Sequence, residues 1–300
     1  MQNARPIHFL QLHFIVLLWG FSGVLGKLIS VGALTLVWYR MGIAAVVLLL
    51  YMLVRKRSLK IPKKLQLLSA LAGITIATHW IFFFYAIKIS NVSITLACMS
   101  TGAFMTALIE PIWYKRKIIL YELLLGLLVV VGLAIILEVQ FEYIMGILSA
   151  LVAALLSAVY SITNGQLVKQ ASSSALVVQQ LFIGFLFISV VLLFNQQLTL
   201  ESLYISLPDF LYISILGVFC TAYAIKASTE LLNYISPYSL ILTLNMEPIY
   251  GIILAVFVFG ESEKMPGLFY FGAFIILSSV VLDVMLKFWS KKRKKKSLEK

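Results

Sequence analysis

Residues 33–54 read ALTLVWYRMGIAAVVLLLYMLV, and Arg55-Lys56-Arg57 follow at once. A single charged residue, Arg40, interrupts the run. An α-helix needs about 20 apolar residues to cross the hydrocarbon of a bilayer, and this stretch supplies them. The basic triplet directly after it is the mark of a cytoplasmic loop. The stretch therefore predicts a transmembrane helix whose end is set by charge.

The same pattern repeats along the chain. Apolar runs fall at about 9–29, 33–54, 66–88, 92–114 and 119–138, then at 143–163, 175–194, 209–228, 235–257 and 266–288. Short connections hold turn formers such as Ile61-Pro62, Ser172-Ser173-Ser174, Leu207-Pro208 and Met265-Pro266. Composition agrees: 62% of residues are hydrophobic and 12% charged, against about 45–50% and 25% in soluble domains. Such a chain lacks the polar groups to cover a water-facing surface. The reading is an all-α polytopic membrane protein with ten transmembrane helices, and little chain remains for an extramembrane catalytic domain.

The net charge of +12 is a topology signal rather than a nucleic-acid surface. It gathers at Arg55 to Lys64, at Lys115-Arg116-Lys117 and from Lys287 to Lys296. With the N-terminus inside, all three clusters fall on the cytoplasmic side, while the outer loops hold Lys88 and Lys264 with Glu138, Glu142 and Glu201. Both termini are expected in the cytoplasm, the location is a bacterial inner membrane, and the basic loops are expected to meet anionic lipid head groups. The first apolar run reads as a span rather than a cleavable signal. Cys98 and Cys220 lie inside apolar runs, so neither a disulfide framework nor a metal site is expected.

Displacing the chain by roughly 145 residues lays 86–93 (AIKISNVS) on 231–238 (LLNYISPY), Gly73 beside Gly217 and Gly126 beside Gly272. This predicts a first five-helix repeat over 1–140, a second over 141–288 and a basic tail over 289–300. Five spans is an odd number, so the second repeat is inverted. Inverted repeats are a transporter architecture, with substrate held near the midplane between the halves.

Trp19-Gly20-Phe21 with Lys27, Arg40 within Val37-Trp38-Tyr39-Arg40-Met41, and Ile235-Ser236-Pro237-Tyr238-Ser239 through Glu247-Pro248 to Gly260-Glu261 together resemble the EamA-type members of the drug/metabolite transporter superfamily. The resemblance runs over essentially the whole chain. It implies secondary transport of small solutes such as amino acids, their derivatives or nucleosides. One departure stands out: the place of Glu247-Pro248 is taken in the first half by Gly102-Ala103, and that of Gly260-Glu261 by Lys115-Arg116.

Ionisable groups at membrane depth are expensive and are functional candidates by default. Glu247 is expected midway along its span beside Asn245, as a cation-binding or proton-carrying carboxylate or as a neutralised packing group. His79 is expected at mid-span, either taking up protons or packing neutrally. Trp80 and Tyr85 either stack on a flat substrate or face lipid. Arg40 offers a fork for a carboxylate, or snorkels to the head groups as Lys27 does. Trp19, Tyr160, Asn164 and Tyr223 complete the candidate cavity lining.

No Gly-rich Walker loop, His-Glu-x-x-His pair or Gly-x-Ser-x-Gly elbow occurs, which argues against an ATP-driven pump and a membrane hydrolase. The expected function is secondary transport of a small polar metabolite by alternating access, export of an amino acid or derivative first. Flipping of a lipid-linked substrate is the alternative, and a polytopic membrane enzyme stands behind both. No cofactor is expected. Protons are a candidate coupling partner, and monomer and homodimer are both open.

Overall fold

The computed structural model describes residues 5–115, 120–231, 234, 243 and 246–298. Among these residues every regular element is helical. Seven helices are long and apolar enough to cross a membrane: Pro6–Leu28, Ala33–Val54, Lys63–Ile89, Val92–Trp113, Phe141–Leu167, Ser173–Phe194 and Leu207–Ser228. Two shorter apolar helices, Leu124–Val139 and Gly267–Ser279, accompany them. Large apolar side chains on the outer surface, such as Leu50, Leu67, Leu127 and Phe257, are more than half exposed. Lipid is the solvent that such a surface requires. The protein is a multi-pass membrane protein.

The helices in chain order are α1 (Pro6–Leu28), α2 (Ala33–Val54), α3 (Lys63–Ile89), α4 (Val92–Met99), α5 (Gly102–Trp113) and α6 (Leu120–Val139). They continue as α7 (Ile144–Leu167), α8 (Ser173–Phe194), α9 (Leu207–Gly217), a π-helical turn (Val218–Tyr223), α10 (Ala224–Leu231), α11 (Glu247–Phe259) and α12 (Gly267–Leu298). Local chemistry sets their ends. Pro6 and Pro208 occupy first turns, where a missing N–H costs nothing. The Asn91 side chain accepts from the Ile94 N–H and so caps α4, and Ser206 Oγ accepts from the Asp209 N–H to cap α9.

The repeat is visible in the geometry. α2 and α8 are each 22 residues long and end in the same way. Lys56 (φ 51°) and Gln196 (φ 56°) both take the left-handed conformation. In each case the next N–H, Arg57 or Gln197, reaches back to the carbonyl of Met52 or Leu192, the Schellman closure. A second sign is α6 against α12. A Cβ on Gly132 would lie 2.7 Å from the Gly272 oxygen, and one on Gly272 would lie 2.8 Å from the Gly132 oxygen. Ile276 and Ile275 flank the first contact as Ile136 and Ile135 flank the second. This reciprocal packing aligns Gly272 with Gly132, where the displaced sequence set it beside Gly126.

The packing obeys the same exchange. α2 packs on α9 as α8 packs on α3, and α1 packs on α11 as α7 packs on α5. The largest core draws on both halves, with Val37, Met41 and Phe84 from the first against Leu181, Ile188 and Leu216 from the second.

One expected span is interrupted among the described residues. The fourth breaks at Ser100-Thr101, so that α5 begins at Gly102. In the ninth, the described helix begins at Glu247, with Pro248 in its first turn. Glu247 is therefore the first residue of this described helix, about midway along the span expected at 235–257, and Pro248 stands where a proline is tolerated.

Candidate functional site

The site starts from a close approach of backbones. A Cβ at Gly217 would lie 3.3 Å from the Arg40 carbonyl oxygen and about 3 Å from Ile43, so glycine lets α9 lie against α2. Immediately beyond, the chain widens into the π turn, a distortion common at functional sites. Two interior side chains dock there. Thr221 Oγ1 donates to the Leu216 carbonyl at 2.9 Å and accepts from Arg40 Nε at 2.7 Å. The Trp19 indole N–H donates to the Cys220 carbonyl at 3.1 Å.

Arg40 is 2% exposed. Its guanidinium lies over the Trp80 ring at 4.0 Å and over the Phe84 ring at 5.4 Å. Stacking of this kind suits arginine, whose planar charge is weakly hydrated. Among the described residues the Nη1 nitrogen has no hydrogen-bond partner. The snorkelling alternative for Arg40 is corrected by this burial, since the aromatic faces of α3 hold the side chain inside. Lys27, partly exposed near the end of α1, has its ammonium 2.8 Å from a Glu263 carboxylate oxygen and 4.4 Å from the Phe259 ring centroid.

Glu247 enters from α11. That helix crosses α1 closely, because a Cβ on Gly20 would meet the Gly251 nitrogen at 2.9 Å and the Glu247 carbonyl oxygen at 3.0 Å. The crossing brings Glu247 near enough to Arg40 for their charges to interact. Among the described residues the Glu247 carboxylate has no hydrogen bond and no ion pair. His79 lies on the face of α3 that carries Trp80. Its Nδ1 donates to the Ala153 carbonyl at 2.8 Å, which fixes the tautomer, and its ring stacks on Phe83 at 6.1 Å. It too feels the charge of Arg40.

Trp19, Arg40, His79, Trp80 and Glu247 thus surround one interior region. Tyr160 and Asn164 belong to a second polar cluster. Tyr160 Oη donates to Gln180 Oε1 and Gln180 Nε2 donates to Asn164 Oδ1, both at 3.0 Å. Tyr85 is 47% exposed and shares the outward face of α3 with Leu71, away from Trp80. Tyr223 also meets the exterior, edge-on to exposed Phe14 at 6.4 Å. Asn245 lies outside the described residues.

Sequence reasoning missed Thr221, Phe84 and Gln180. Gln180 had a signal, since Gln179-Gln180 interrupts an apolar run as Arg40 does. The two are also equivalent in the repeat, each the eighth residue of its 22-residue helix. Thr221 offered no signal, because threonine is common in apolar helices and usually bonds its own backbone.

Two helical repeats packed reciprocally, with charged side chains held between them, define a membrane protein of the transporter class. The chain matches the EamA-like transporter family model over residues 9–138 and again over 144–285, and it belongs to that family. No curated protein matches it. Among solved structures, one crystal structure is 16% identical, with a TM-score of 0.65, and covers 94% of this chain and 99% of its own. At that identity the likeness shows the fold alone.

Proposed function

We propose that the chain is a ten-span secondary transporter of a small polar metabolite, an amino acid or close derivative. It works by alternating access in a bacterial inner membrane, with both termini cytoplasmic and export as the direction to test first. The observation that carries this reading is the pair Arg40 and Glu247. Arg40 and the Glu247 carboxyl stand within electrostatic reach of each other in apolar spans, yet among the described residues Arg40 Nη1 has no partner. Unsatisfied charge at this depth is costly. A zwitterion relieves it: the carboxylate takes Nη1, the ammonium takes Glu247, and neither protein charge needs the other. The reciprocal halves supply the two-sided access that a carrier requires.

Residues 1–140 and 141–288 form the two halves in this reading, with 289–300 as a basic tail at anionic lipid. The driving force is a proton gradient or the solute's own gradient. The test is uptake of labelled amino acids and nucleosides into proteoliposomes, with and without an imposed pH gradient, alongside Glu247→Gln. Saturable uptake of one amino-acid class, at least ten-fold slower in the variant, is the expected result. Wild-type rate and pH dependence in a folded Glu247→Gln protein would remove Glu247 from the mechanism. Uptake of nothing soluble would move the search to lipid-linked substrates.

A further inference from the structure

The turn between α11 and α12 carries a carboxylate that no sequence motif singled out. Glu263 is fully buried, although it sits in the loop Gly260–Glu263 at the end of the bundle. Its oxygens accept from Lys27 Nζ at 2.8 Å, from the Val92 N–H at 3.0 Å, and from the Ser93 N–H and hydroxyl at 2.8 Å each. Every one of these donors belongs to the first half. The carboxylate therefore caps α4 from across the molecule, where the free N–H groups and the helix dipole favour negative charge. Glu261, the acid of the Gly260-Glu261 signature, does something else: it pairs with Lys264 on the surface.

A second carboxylate repeats the device at the same end. Asp209, in the first turn of α9, is 3% exposed. It accepts from the Ser30 N–H at 2.7 Å and from the Ser30 hydroxyl. Lys88 lies within electrostatic reach of it and donates to the Ile29 carbonyl. Again the acid comes from the second half and Ser30 and Lys88 from the first, while Ser206 of the second half also bonds the carboxylate. Charged hydrogen bonds of this sort are about twice as strong as neutral ones.

The two ends of the molecule are not equivalent. Inversion sends the turn after α11 to the turn after α5, and there the chain reads Tyr114-Lys115-Arg116-Lys117-Ile118, with no acid. The described contacts between halves at that opposite end include neutral pairs: His13 with Tyr250 at 2.7 Å, Trp113 with Gln166 at 3.3 Å, and Tyr114 with the Ile162 carbonyl at 3.0 Å.

We propose that Glu263 and Asp209 are the gate residues of one end of the carrier, closing it by gripping Lys27, Ser30 and the start of α4. The matching turn of the first half carries no acid, so inversion does not copy the Glu263 grip, and a carrier closed by it opens toward the end with the basic loops. The inference rests on the alternating-access reading. Substrate binding has to outweigh the grip before the other end opens, so the gate sets the ratio of the two states.

Spin labels test this without a substrate. Gly32 and Gly267 stand in open space on opposite halves at the gripped end, and Leu59 and Lys169 are exposed on opposite halves at the other. Pulsed dipolar distances are recorded for each pair, after cysteine substitution, in lipid nanodiscs. In Glu263→Gln, and more mildly in Lys27→Met, the Gly32–Gly267 pair gains a longer-distance population while the Leu59–Lys169 pair gains a shorter one. Loss of a merely structural cap would loosen the first pair and leave the second unchanged, which overturns the proposal. Unchanged distances at both ends overturn it too. If Glu263→Gln does not fold, Lys27→Met and Asp209→Asn decide by the same criterion. Failure of the uptake experiment would leave these distances untouched, so the two readings fail separately.

Discussion

The guanidinium of Arg40 lies 4.0 Å above the ring of Trp80, one from α2 and the other from α3, and both side chains are buried. The ring face stabilises a cation that has been stripped of water, at about 0.5–2 kcal/mol. It also aims the fork. With Nε committed to Thr221, Nη1, which has no partner among the described residues, is a donor available to a ligand.

Arg40→Lys keeps the charge and loses both the stack and the fork. Initial uptake rates are expected to fall at least ten-fold, mainly through KM, with little further loss when Glu247→Gln is added. The two residues serve one ligand, so their effects do not add. Independent, multiplying losses would refute a shared site.

Trp80→Leu and Tyr85→Leu separate the two faces of α3. Trp80→Leu removes the surface that Arg40 rests on, and transport should drop several-fold. Tyr85→Leu changes a side chain on the exposed face and should leave uptake within about two-fold of wild type. Parallel rate measurements on the two variants check this, and equal losses would place Tyr85 at the site.

Gly272→Val drives a side chain into the Gly132 carbonyl across the α6–α12 contact. Overpacking of this kind destabilises by about 1–3 kcal/mol. Gly132→Val is expected to cost a similar amount, because the contact is reciprocal. Thermal unfolding in detergent reads both, and a Gly126→Val variant at the position first aligned with Gly272 marks the difference between a repeat position and a crossing point.

Much of the fold was legible because lipid imposes a simple rule: each crossing needs a long apolar run, and lysine and arginine collect on one side. Arg40 and Glu247 each stood out for the same reason, as ionisable groups where charge is costly, though not as a pair. Thr221, Phe84 and Gln180 were harder to find. An uncharged side chain in an apolar helix becomes part of a site through what faces it, and composition carries no record of that. Glu263 was hidden differently, since acids in loops are ordinarily solvated and nothing local says that this one is buried.

The sequence by itself determined, through hydropathy, that this chain lives in a bilayer, through its internal repeat that it is built from two related halves, and through its short motifs that it resembles a transporter family. Those properties belong to single segments and to their order. Only the tertiary structure decided that Arg40 lies inward on Trp80, that Gly132 rather than Gly126 meets Gly272, and that Glu263 ties the halves at one end. Each of these depends on which helix faces are brought together, and that is settled by close packing between segments far apart in the chain.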